Sequence, residues 1–357
     1  MRVLHLARPA AGGVLRFLQN VVPHLEQKGV KCAIACPSAM HPALPLHHTL
    51  RWEIADRPQI LADLRCAVQA KGWQRDYDLF HAHGLRAAGV LALSPPRCWV
   101  FTLHNLPPEH LVPPARWLLS RAARSAGRIL AVSRAVRDAW LRHFPQSEPK
   151  CEIVPGGVDA DTIRPCEVDK LTARQQWNLP EDVPVALCVA RLMEDKGVDV
   201  LLKALAYASE WFALVVGEGP QREALLRLAS EAGVGERVRF TGFLPVLDSV
   251  WAACDVAVIP SRREGLGLFA LEAMAAEKPV IASDAGGLAE VVLPDETGWL
   301  VTPDDPTALA HALQLALSLR SLWRDMGKRG RDYVLQHFTW EHTALRLLEC
   351  YRRLVSM

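Results

Sequence analysis

Short apolar runs alternate along this 357-residue chain with segments that are long enough to form a helix. Parallel strands need such crossovers, so the alternation predicts βαβ units and a parallel sheet. The pattern starts again after Pro155-Gly156-Gly157, which predicts an α/β fold of two Rossmann-like, doubly wound domains. The predicted strands are residues 2–7, 30–36, 78–83, 99–104 and 128–133 in the first half, then 185–190, 213–217, 238–241, 256–260, 280–283 and 299–301.

The boundary between the two domains is expected near Asp159, where prolines, glycines and charges are typical of a hinge. This gives an N-terminal domain of residues 1–158 and a second domain of residues 159–339. Half of the residues are hydrophobic, which is enough for two cores. In open parallel sheets, ligands bind outside the carboxyl ends of the strands. Two such edges facing each other would form a cleft.

Several classes of protein are disfavoured. The first apolar run is too short for a signal peptide, and no apolar run reaches the roughly 18 residues that span a bilayer. We therefore expect a cytoplasmic protein, with no nucleic-acid partner. An odd number of scattered cysteines without a C-x-x-C pair predicts reduced, buried thiols; the nine are Cys32, Cys36, Cys66, Cys98, Cys151, Cys166, Cys188, Cys254 and Cys350.

The charge is distributed unevenly. Residues 1–160 carry 20 basic and 11 acidic residues, whereas the remainder carries 21 and 28. A basic first half favours an anionic acceptor or peripheral contact with an anionic membrane, on the inner membrane face. Residues 116–128 have the arginines and the tryptophan of a peripheral membrane helix, but a core-facing helix with a solvated arginine face explains them equally well.

The most informative stretch is residues 260–275, PSRREGLGLFALEAMA, which follows an apolar strand. A glycine loop lets backbone approach a ligand closely, and the free N–H groups of the next helical turn attract phosphate. Its two glutamates can accept hydrogen bonds from sugar and ribose hydroxyls, although an isolated glutamate is more often a solvated one. The stretch predicts a nucleotide-sugar site, whose residues are Glu264, Gly265, Leu266, Gly267, Leu268 and Glu272.

This stretch resembles the E-x₇-E signature of glycosyltransferase family 4, retaining enzymes of the GT-B fold, and the resemblance covers essentially the whole chain. Arg191-Leu-Met-Glu-Asp-Lys196-Gly197 is similar to the family's R-L-x-x-x-K-G loop, whose cations hold the donor diphosphate. Fixed cations stabilise the charge that grows on a departing diphosphate. Arg191, Lys196 and Glu264 are therefore predicted to be catalytic.

Two further turns fall where the family pattern places them. Val216-Gly217-Glu218-Gly219-Pro220 is similar to its V-G-x-G-P turn, and the missing third glycine makes a dinucleotide fingerprint a weak interpretation. Phe240-Thr-Gly242-Phe243 is similar to an F-x-G segment whose backbone contacts the nucleobase in relatives. Gly217, Gly242 and Phe243 are therefore assigned to the donor site, and the base stays unidentified.

In the N-terminal half, Gly12 and Gly13 resemble the family's glycine loop against the donor sugar or the acceptor. His104 matches the T-x-H position, whose histidine approaches the transferred sugar in relatives, and it is predicted to be catalytic. His83 and Ser133 also end predicted strands and are assigned to the acceptor or cleft region, with packing as the alternative.

No metal or other cofactor is expected. His81 and His83 lie on one face of a strand, but the sequence shows no third ligand. Asp76-Tyr-Asp78 and Asp159-Ala-Asp161 have the Asp-x-Asp spacing of metal-dependent transferases, without the right position relative to a strand. Cations from Arg191 and Lys196 would make a divalent ion dispensable.

The resemblance implies a retaining glycosyltransferase that moves a hexose or N-acetylhexosamine from a UDP- or GDP-sugar to a glycan or lipid-linked acceptor, in cell-surface polysaccharide or glycolipid synthesis. It also implies that the helix at residues 340–357 packs back on the N-terminal domain. Leu266 stands where many members have an aromatic residue, so the sugar stays open. The alternatives are an epimerase or phosphorylase acting on related sugars and a non-catalytic sugar-nucleotide binding protein.

Overall fold

The computed structural model describes residues 1–9, 12–44, 48–55, 57–159, 162–163 and 169–356. It contains two compact units, Met1–Gly157 with Trp340–Met357, and Val158–Thr339. The division lies one residue before the expected boundary. Each unit holds one sheet in which every strand pair is parallel. The predicted pair of doubly wound α/β domains is confirmed.

The seven strands of the first unit are β1 (Arg2–Ala7), β2 (Lys31–Cys36), β3 (Thr49–Arg51), β4 (Leu79–His83), β5 (Trp99–Leu103), β6 (Arg128–Ala131) and β7 (Cys151–Ile153). Their order is β3-β2-β1-β4-β5-β6-β7. The helices are α1 (Gly13–Gln27), α2 (Ile60–Gly72), α3 (Gly84–Leu91), α4 (Pro113–Ser125), α5 (Arg134–His143) and, from the end of the chain, α14 (Trp340–Val355).

The six strands of the second unit are β8 (Val185–Val189), β9 (Phe212–Val216), β10 (Val238–Gly242), β11 (Val256–Ile259), β12 (Val280–Ser283) and β13 (Gly298–Val301). Their order is β10-β9-β8-β11-β12-β13. The helices are α6 (Lys170–Gln176), α7 (Val198–Leu205), α8 (Arg222–Glu231), α9 (Asp248–Ala253), α10 (Leu268–Ala275), α11 (Leu288–Val291), α12 (Pro306–Ser318) and α13 (Trp323–His337).

Both sheets have a point where the strand order reverses, between β1 and β4 in the first and between β8 and β11 in the second. The loops after these strands diverge to opposite faces of the sheet and leave a crevice for a ligand. The inner strands are almost entirely apolar and buried, because helices cover both faces of a doubly wound sheet. In the second unit, the loops after β8 and β11 therefore border the expected ligand crevice.

Two findings bear on the excluded classes. Within the described ranges, no helix is both long and apolar enough to cross a bilayer. The eight cysteines in those ranges are all free thiols, and six of them are buried. Cys166 and Asp161 lie outside the described residues.

Candidate active site

Two loops meet where the second sheet changes direction. One follows β8 and runs from residue 190 to residue 197, and the other follows β11 and runs from residue 260 to residue 267. Their backbones are joined, because Arg262 N and Arg263 N both donate to Asp195 O, at 2.9 and 3.3 Å. The predicted diphosphate loop and the predicted glycine loop therefore form one structure.

Arg262 fastens this pair of loops with its side chain. Its two terminal nitrogens donate to the two carboxylate oxygens of Asp199, both at 2.8 Å, and its Nε donates to Asp304 Oδ1, also at 2.8 Å. Burial alone would raise the pKa of Asp199, but the hydrogen bonds from Arg262 outweigh it and hold that pKa below its ordinary value. Sequence reasoning did not assign these residues a role, although the pair Arg262-Arg263 directly precedes Glu264.

Lys196 and Glu264 form an ion pair across the two loops. Lys196 Nζ lies 2.8 Å from Glu264 Oε2, and about a fifth of each side chain is exposed. The backbone N–H of Gly265 donates to Glu264 Oε1 at 3.2 Å, which fixes the carboxylate. The predicted cation for the diphosphate and the predicted acceptor for sugar hydroxyls are thus in direct contact.

Arg191 lies two residues beyond β8 and is exposed. Among the residues that the structure describes, its guanidinium has no hydrogen-bond or ion-pair partner. An exposed arginine beside Lys196 at this sheet edge can grip an anion with two parallel N–H groups. Its geometry is compatible with the predicted role and does not test it.

Gly197 lets the two loops touch. Its backbone has φ +63°, and a Cβ on it would lie 1.9 Å from the carbonyl oxygen of Pro260. Gly287 makes a similar approach, since a Cβ there would lie 2.4 Å from Gly265 O. Only glycine fits between these backbones without moving a loop.

Helix α10 begins at this junction. Gly267, at φ +93°, precedes its first turn, and no side chain caps that start. Uncapped N–H groups at a helix start favour a bound anion. Glu272 lies in the second turn and is buried, and the side chain of Leu266 is buried as well. Leu266 would therefore reach a ligand through its backbone.

The ends of β9 and β10 bring the remaining predicted donor residues to the same sheet edge. Gly217 N donates to Gly242 O at 2.8 Å, and both glycines have positive φ. Phe243 follows directly and its side chain is 73% exposed. These residues lie next to the loop after β8 because β9 pairs with β8.

In the first unit, Gly12 and Gly13 begin α1. Gly12 has φ +75°, and a Cβ on it would meet no atom of the described residues within 4 Å. Ser133 is buried, and its hydroxyl accepts from Val136 N at 3.1 Å, so it caps α5. As the N-cap of α5, Ser133 therefore has a structural role. Its assignment to the acceptor region stays a prediction.

A chain of hydrogen-bonded imidazoles lies at the direction change of the first sheet. His5 Nδ1 is 3.1 Å from His83 Nε2, and His83 Nδ1 is 3.0 Å from His104 Nε2. His81 lies beside them and bonds Thr102 Oγ1 at 2.7 Å and the Tyr351 hydroxyl at 2.5 Å. His83 is buried, so any contribution it makes to ligand binding passes through His104.

The sequence shows no third ligand for His81 and His83, yet the structure brings His5 to them. Potential ligand atoms of these three histidines lie within 4.8 Å of one another. Both nitrogens of His81 and both of His83 are engaged in hydrogen bonds, so a metal would have to displace them. A hydrogen-bonded cluster accounts for the geometry better. Nothing in the run Leu4-His5-Leu6 marks His5, and only strand pairing places it opposite His81.

The environment keeps these rings neutral. Burial lowers the pKa of His5 and that of His104 to about 3, and it also lowers the pKa of His81 and His83, with further repulsion from the neighbouring histidines. A neutral imidazole has one N–H donor and one acceptor nitrogen. His104 is only partly exposed and stands at the surface end of the chain.

The structure therefore groups the predicted residues into two sets. Arg191, Lys196, Glu264 and the glycines of residues 265–267 converge in the second unit, where cations, an amide-lined helix start and a fixed carboxylate can hold an anion that carries hydroxyl groups. His104, with His83 behind it, belongs to the first unit.

Comparison with known families matches both halves of the chain. Residues 11–162 match the family described as Glycosyltransferase Family 4, and residues 169–333 match Glycosyl transferases group 1. A D-inositol 3-phosphate glycosyltransferase from Xylanimonas cellulosilytica is 31% identical, over 96% of this chain and 91% of its own length. A GDP-mannose-dependent alpha-(1-6)-phosphatidylinositol monomannoside mannosyltransferase from Mycolicibacterium smegmatis is 34% identical over 67% of this chain, which spans 65% of that relative.

Solved structures match the fold over its whole length. A sucrose-phosphate synthase from Thermosynechococcus elongatus has a TM-score of 0.86 at 28% identity, and each chain is covered completely. Anabaena HepE in complex with UDP-glucose has a TM-score of 0.88 at 25% identity, over 99% of this chain and all of its own. With two parallel-sheet α/β units, the fold is GT-B, and the chain belongs to the family 4 glycosyltransferases.

Proposed function

We propose that the protein is a retaining glycosyltransferase that moves a hexose or N-acetylhexosamine from a UDP- or GDP-sugar to a glycan or lipid-linked acceptor. The observation that carries the proposal is the Lys196–Glu264 pair, held beside an uncapped helix start where the second sheet changes direction. The relatives support a nucleotide-sugar donor, since one is named for GDP-mannose and another was solved with UDP-glucose. Synthesis of a cell-surface polysaccharide or glycolipid is the proposed setting.

In the proposed mechanism the second unit binds the donor. Lys196, Arg191 and the N–H groups at the start of α10 stabilise the charge that builds on the diphosphate as the glycosidic bond breaks. Glu264 accepts hydrogen bonds from the sugar, Glu272 from the ribose, and His104 contributes from the first unit. The bond between the anomeric carbon and the diphosphate oxygen breaks, the acceptor oxygen bonds to that carbon on the same face, and the departing phosphate takes the proton of the acceptor hydroxyl. Attack on the face that the phosphate leaves retains the anomeric configuration.

The central test compares Lys196→Ala with Lys328→Ala, an exposed lysine of α13 in the same unit. Losing a preorganised cation at the leaving group should lower kcat by about 10²–10³-fold, with the fold intact, whereas Lys328→Ala should behave as wild type. Turnover of labelled UDP- and GDP-sugars, with and without acceptors, is the measurement. Equal kcat for the two variants would refute the assignment of Lys196.

The same assay separates the alternatives. Sugar nucleotides that bind without any turnover, across all acceptors, would favour a binding protein. A donor whose sugar is isomerised without an acceptor would favour an epimerase. Product with the donor's anomeric configuration supports retention, and full activity after chelation by EDTA supports catalysis without a metal.

Peripheral contact with an anionic membrane is proposed for the first unit. Helix α2 exposes four large apolar side chains, and exposed basic residues surround them. The apolar side chains are Ile60, Leu61, Leu64 and Val68, and the basic ones are Arg57, Arg65, Lys71 and Arg75. On α4, Trp117 is 55% exposed beside Arg116. Apolar side chains flanked by cations are typical of helices that lie in the membrane interface.

Co-sedimentation with vesicles tests this contact. Phosphatidylglycerol-containing vesicles should retain the protein at low salt, and vesicles of phosphatidylcholine alone should not. Replacing Ile60, Leu61 and Val68 with Gln should abolish retention. The control replaces three exposed apolar residues of the second unit, Leu171, Val246 and Leu315, with Gln. Equal retention of both triple variants would argue against α2 as the contact.

A further inference from the structure

The row of three hydrogen-bonded imidazoles, His104, His83 and His5, ends inside the protein at His5. His5 is completely buried in β1, and its Nε2 has no hydrogen-bond partner among the residues that the structure describes. Its Nδ1 faces His83 Nε2. Each neutral ring supplies one N–H donor and one acceptor nitrogen. The hydrogen bonds of the three rings can therefore run in only two directions, either outward from His5 to His104 or inward from His104 to His5.

The unpartnered nitrogen of His5 selects one direction. If the chain ran inward from His104, His5 would carry its proton on Nε2 and leave a buried N–H without an acceptor. If it runs outward, His5 Nδ1–H donates to His83, and only a lone pair is left unsatisfied. Among buried backbone groups, orphaned N–H donors are rarer than under-satisfied carbonyl acceptors, and we extend this preference to the imidazole nitrogens. The outward direction is therefore favoured.

The outward direction fixes the state of the last ring. His83 then donates from Nδ1 to His104 Nε2, and the proton of His104 must lie on Nδ1. That nitrogen has no hydrogen-bond partner within the described part of the chain. We propose that His5 and His83 are positioning residues that hold His104 in its Nδ1–H tautomer, so that it offers a ligand a hydrogen-bond donor. This inference rests on the proposed role of His104 in transfer.

Packing keeps the rings in place. The Phe17 ring of α1 meets His104 edge-on, with 4.9 Å between centroids, and also meets Trp340 of α14 edge-on at 5.6 Å. His83 and His104 stack at 5.3 Å with 28° between their planes. Rings fixed on both sides cannot turn over to exchange Nδ1 for Nε2. A neutral N–H donor suits a sugar hydroxyl or a carbonyl oxygen, and it does not act as a general base.

The test measures the tautomers directly, by nitrogen NMR of the full-length protein labelled with ¹⁵N-histidine at neutral pH. The His104→Gln variant identifies the His104 signals. We expect protonated Nδ1 and unprotonated Nε2 at His104, His83 and His5. A His104 proton on Nε2 would overturn the inference, whether or not the protein transfers sugar. Absence of transfer with the expected tautomer would instead count against the proposed function alone.

Two variants of His5 distinguish a role in setting the tautomer of His104 from a role in stabilising the fold. His5→Leu removes the donor, so His104 should become a mixture of tautomers, and kcat should fall about 10-fold with KM little changed. His5→Asn keeps an amide N–H near the position of Nδ1 and should restore a single tautomer. Similar losses of kcat in both variants with the His104 tautomer unchanged would overturn the inference. So would stoichiometric binding of added Zn²⁺ or Co²⁺ that His5→Leu abolishes, because the cluster would then be a metal site. If His5→Leu fails to fold, the spectrum of the native protein decides.

Discussion

Lys196 and Glu264 form an ion pair between the two loops of the candidate donor site. In the proposed mechanism the diphosphate takes the ammonium group and the sugar takes the carboxylate, so donor binding should separate the two side chains. Ion pairs at the protein surface are typically worth about 1 kcal/mol or less, and because this pair is partly exposed, its separation should cost on the order of 1 kcal/mol. The cost of opening the site is therefore small.

The Glu264→Gln variant distinguishes the binding of the diphosphate from the binding of the sugar. The neutral amide holds Lys196 less strongly than the carboxylate does and does not repel phosphate, so UDP or GDP alone should bind as tightly as in wild type or up to about 5-fold more tightly. Transfer from the nucleotide sugar should fall because the acceptor of the sugar hydroxyls is weakened. Calorimetry and steady-state kinetics measure the two effects. The control is Glu231→Gln on α8, and weaker binding of the free diphosphate in Glu264→Gln alone would contradict this account.

The buried histidines link stability to pH. His5 has a pKa of about 3 in the folded chain, against about 6.5 when unfolded, so the unfolded state binds more protons between these values. Its contribution is complete above pH 6.5 and is lost as the pH falls. His81, His83 and the Tyr351 hydroxyl face the same cluster, and none of them supplies a negative charge to offset protonation.

The shifted pKa of His5 alone should make the free energy of unfolding about 2 kcal/mol lower at pH 5 than at pH 7. His5→Gln should lose less stability over this interval, and the exposed His311→Gln on α12 should lose as much as wild type. Hydrogen exchange of β1 and β4 amides at the two pH values measures the difference. An equal loss in all three proteins would show that His5 does not control it.

At the level of elements, the site depends on how closely two loops approach. Gly197 and Gly233 have nearly the same φ, +63° and +66°. A Cβ at Gly197 would clash with Pro260 O, whereas one at Gly233 would meet no atom within 4 Å in the part of the chain that the structure describes. The two glycines form a matched pair. They differ in surroundings and share the conformational strain that a side chain would introduce.

Gly233→Ala should lose only about 1 kcal/mol, the cost of a left-handed alanine. Gly197→Ala should lose more and should also weaken UDP or GDP binding, because its loop must move away from residue 260. Denaturant unfolding and calorimetry give both quantities. Equal behaviour of the two variants would mean that the contact between these loops does not organise the site.

Much of this arrangement follows from local sequence. All eleven predicted strands occur, each within two residues of the predicted bounds. The edge strands β3 and β7 were missed because each has only three residues, none of them buried, and pairing with a neighbouring strand creates them. Glycine loops identified the candidate donor site, but the Arg262–Asp199 contact joins residues 63 apart and left no local signal.

At the scale of the whole molecule, the chain leaves the first unit and later returns to it. Helix α14 belongs to the first unit, where it packs on α1 and buries Trp340, Leu347 and Tyr351. The second unit contains both loops of the candidate donor site. Its stability and its binding of a diphosphate should therefore be separable from the first unit.

A fragment of residues 158–339 should fold and bind UDP or GDP with nearly the affinity of the full chain. A chain that ends at residue 339 should keep this binding but lose the folding of the first unit, because large buried side chains are removed. Thermal unfolding with and without nucleotide measures both, since a ligand of the native state raises its melting temperature. A fragment that folds without binding would contradict the placement of the diphosphate site.

The start and finish of the second unit lie side by side, with Val158 N donating to Phe338 O at 2.8 Å and Val158 bridging to Thr339. A segment whose two ends lie close together can be replaced by a homologous segment at those two junctions without a change in the path of the remaining chain. If the second unit sets donor preference as proposed, we expect that preference to be exchangeable between homologous enzymes as a single cassette, by recombination in nature or by grafting in the laboratory.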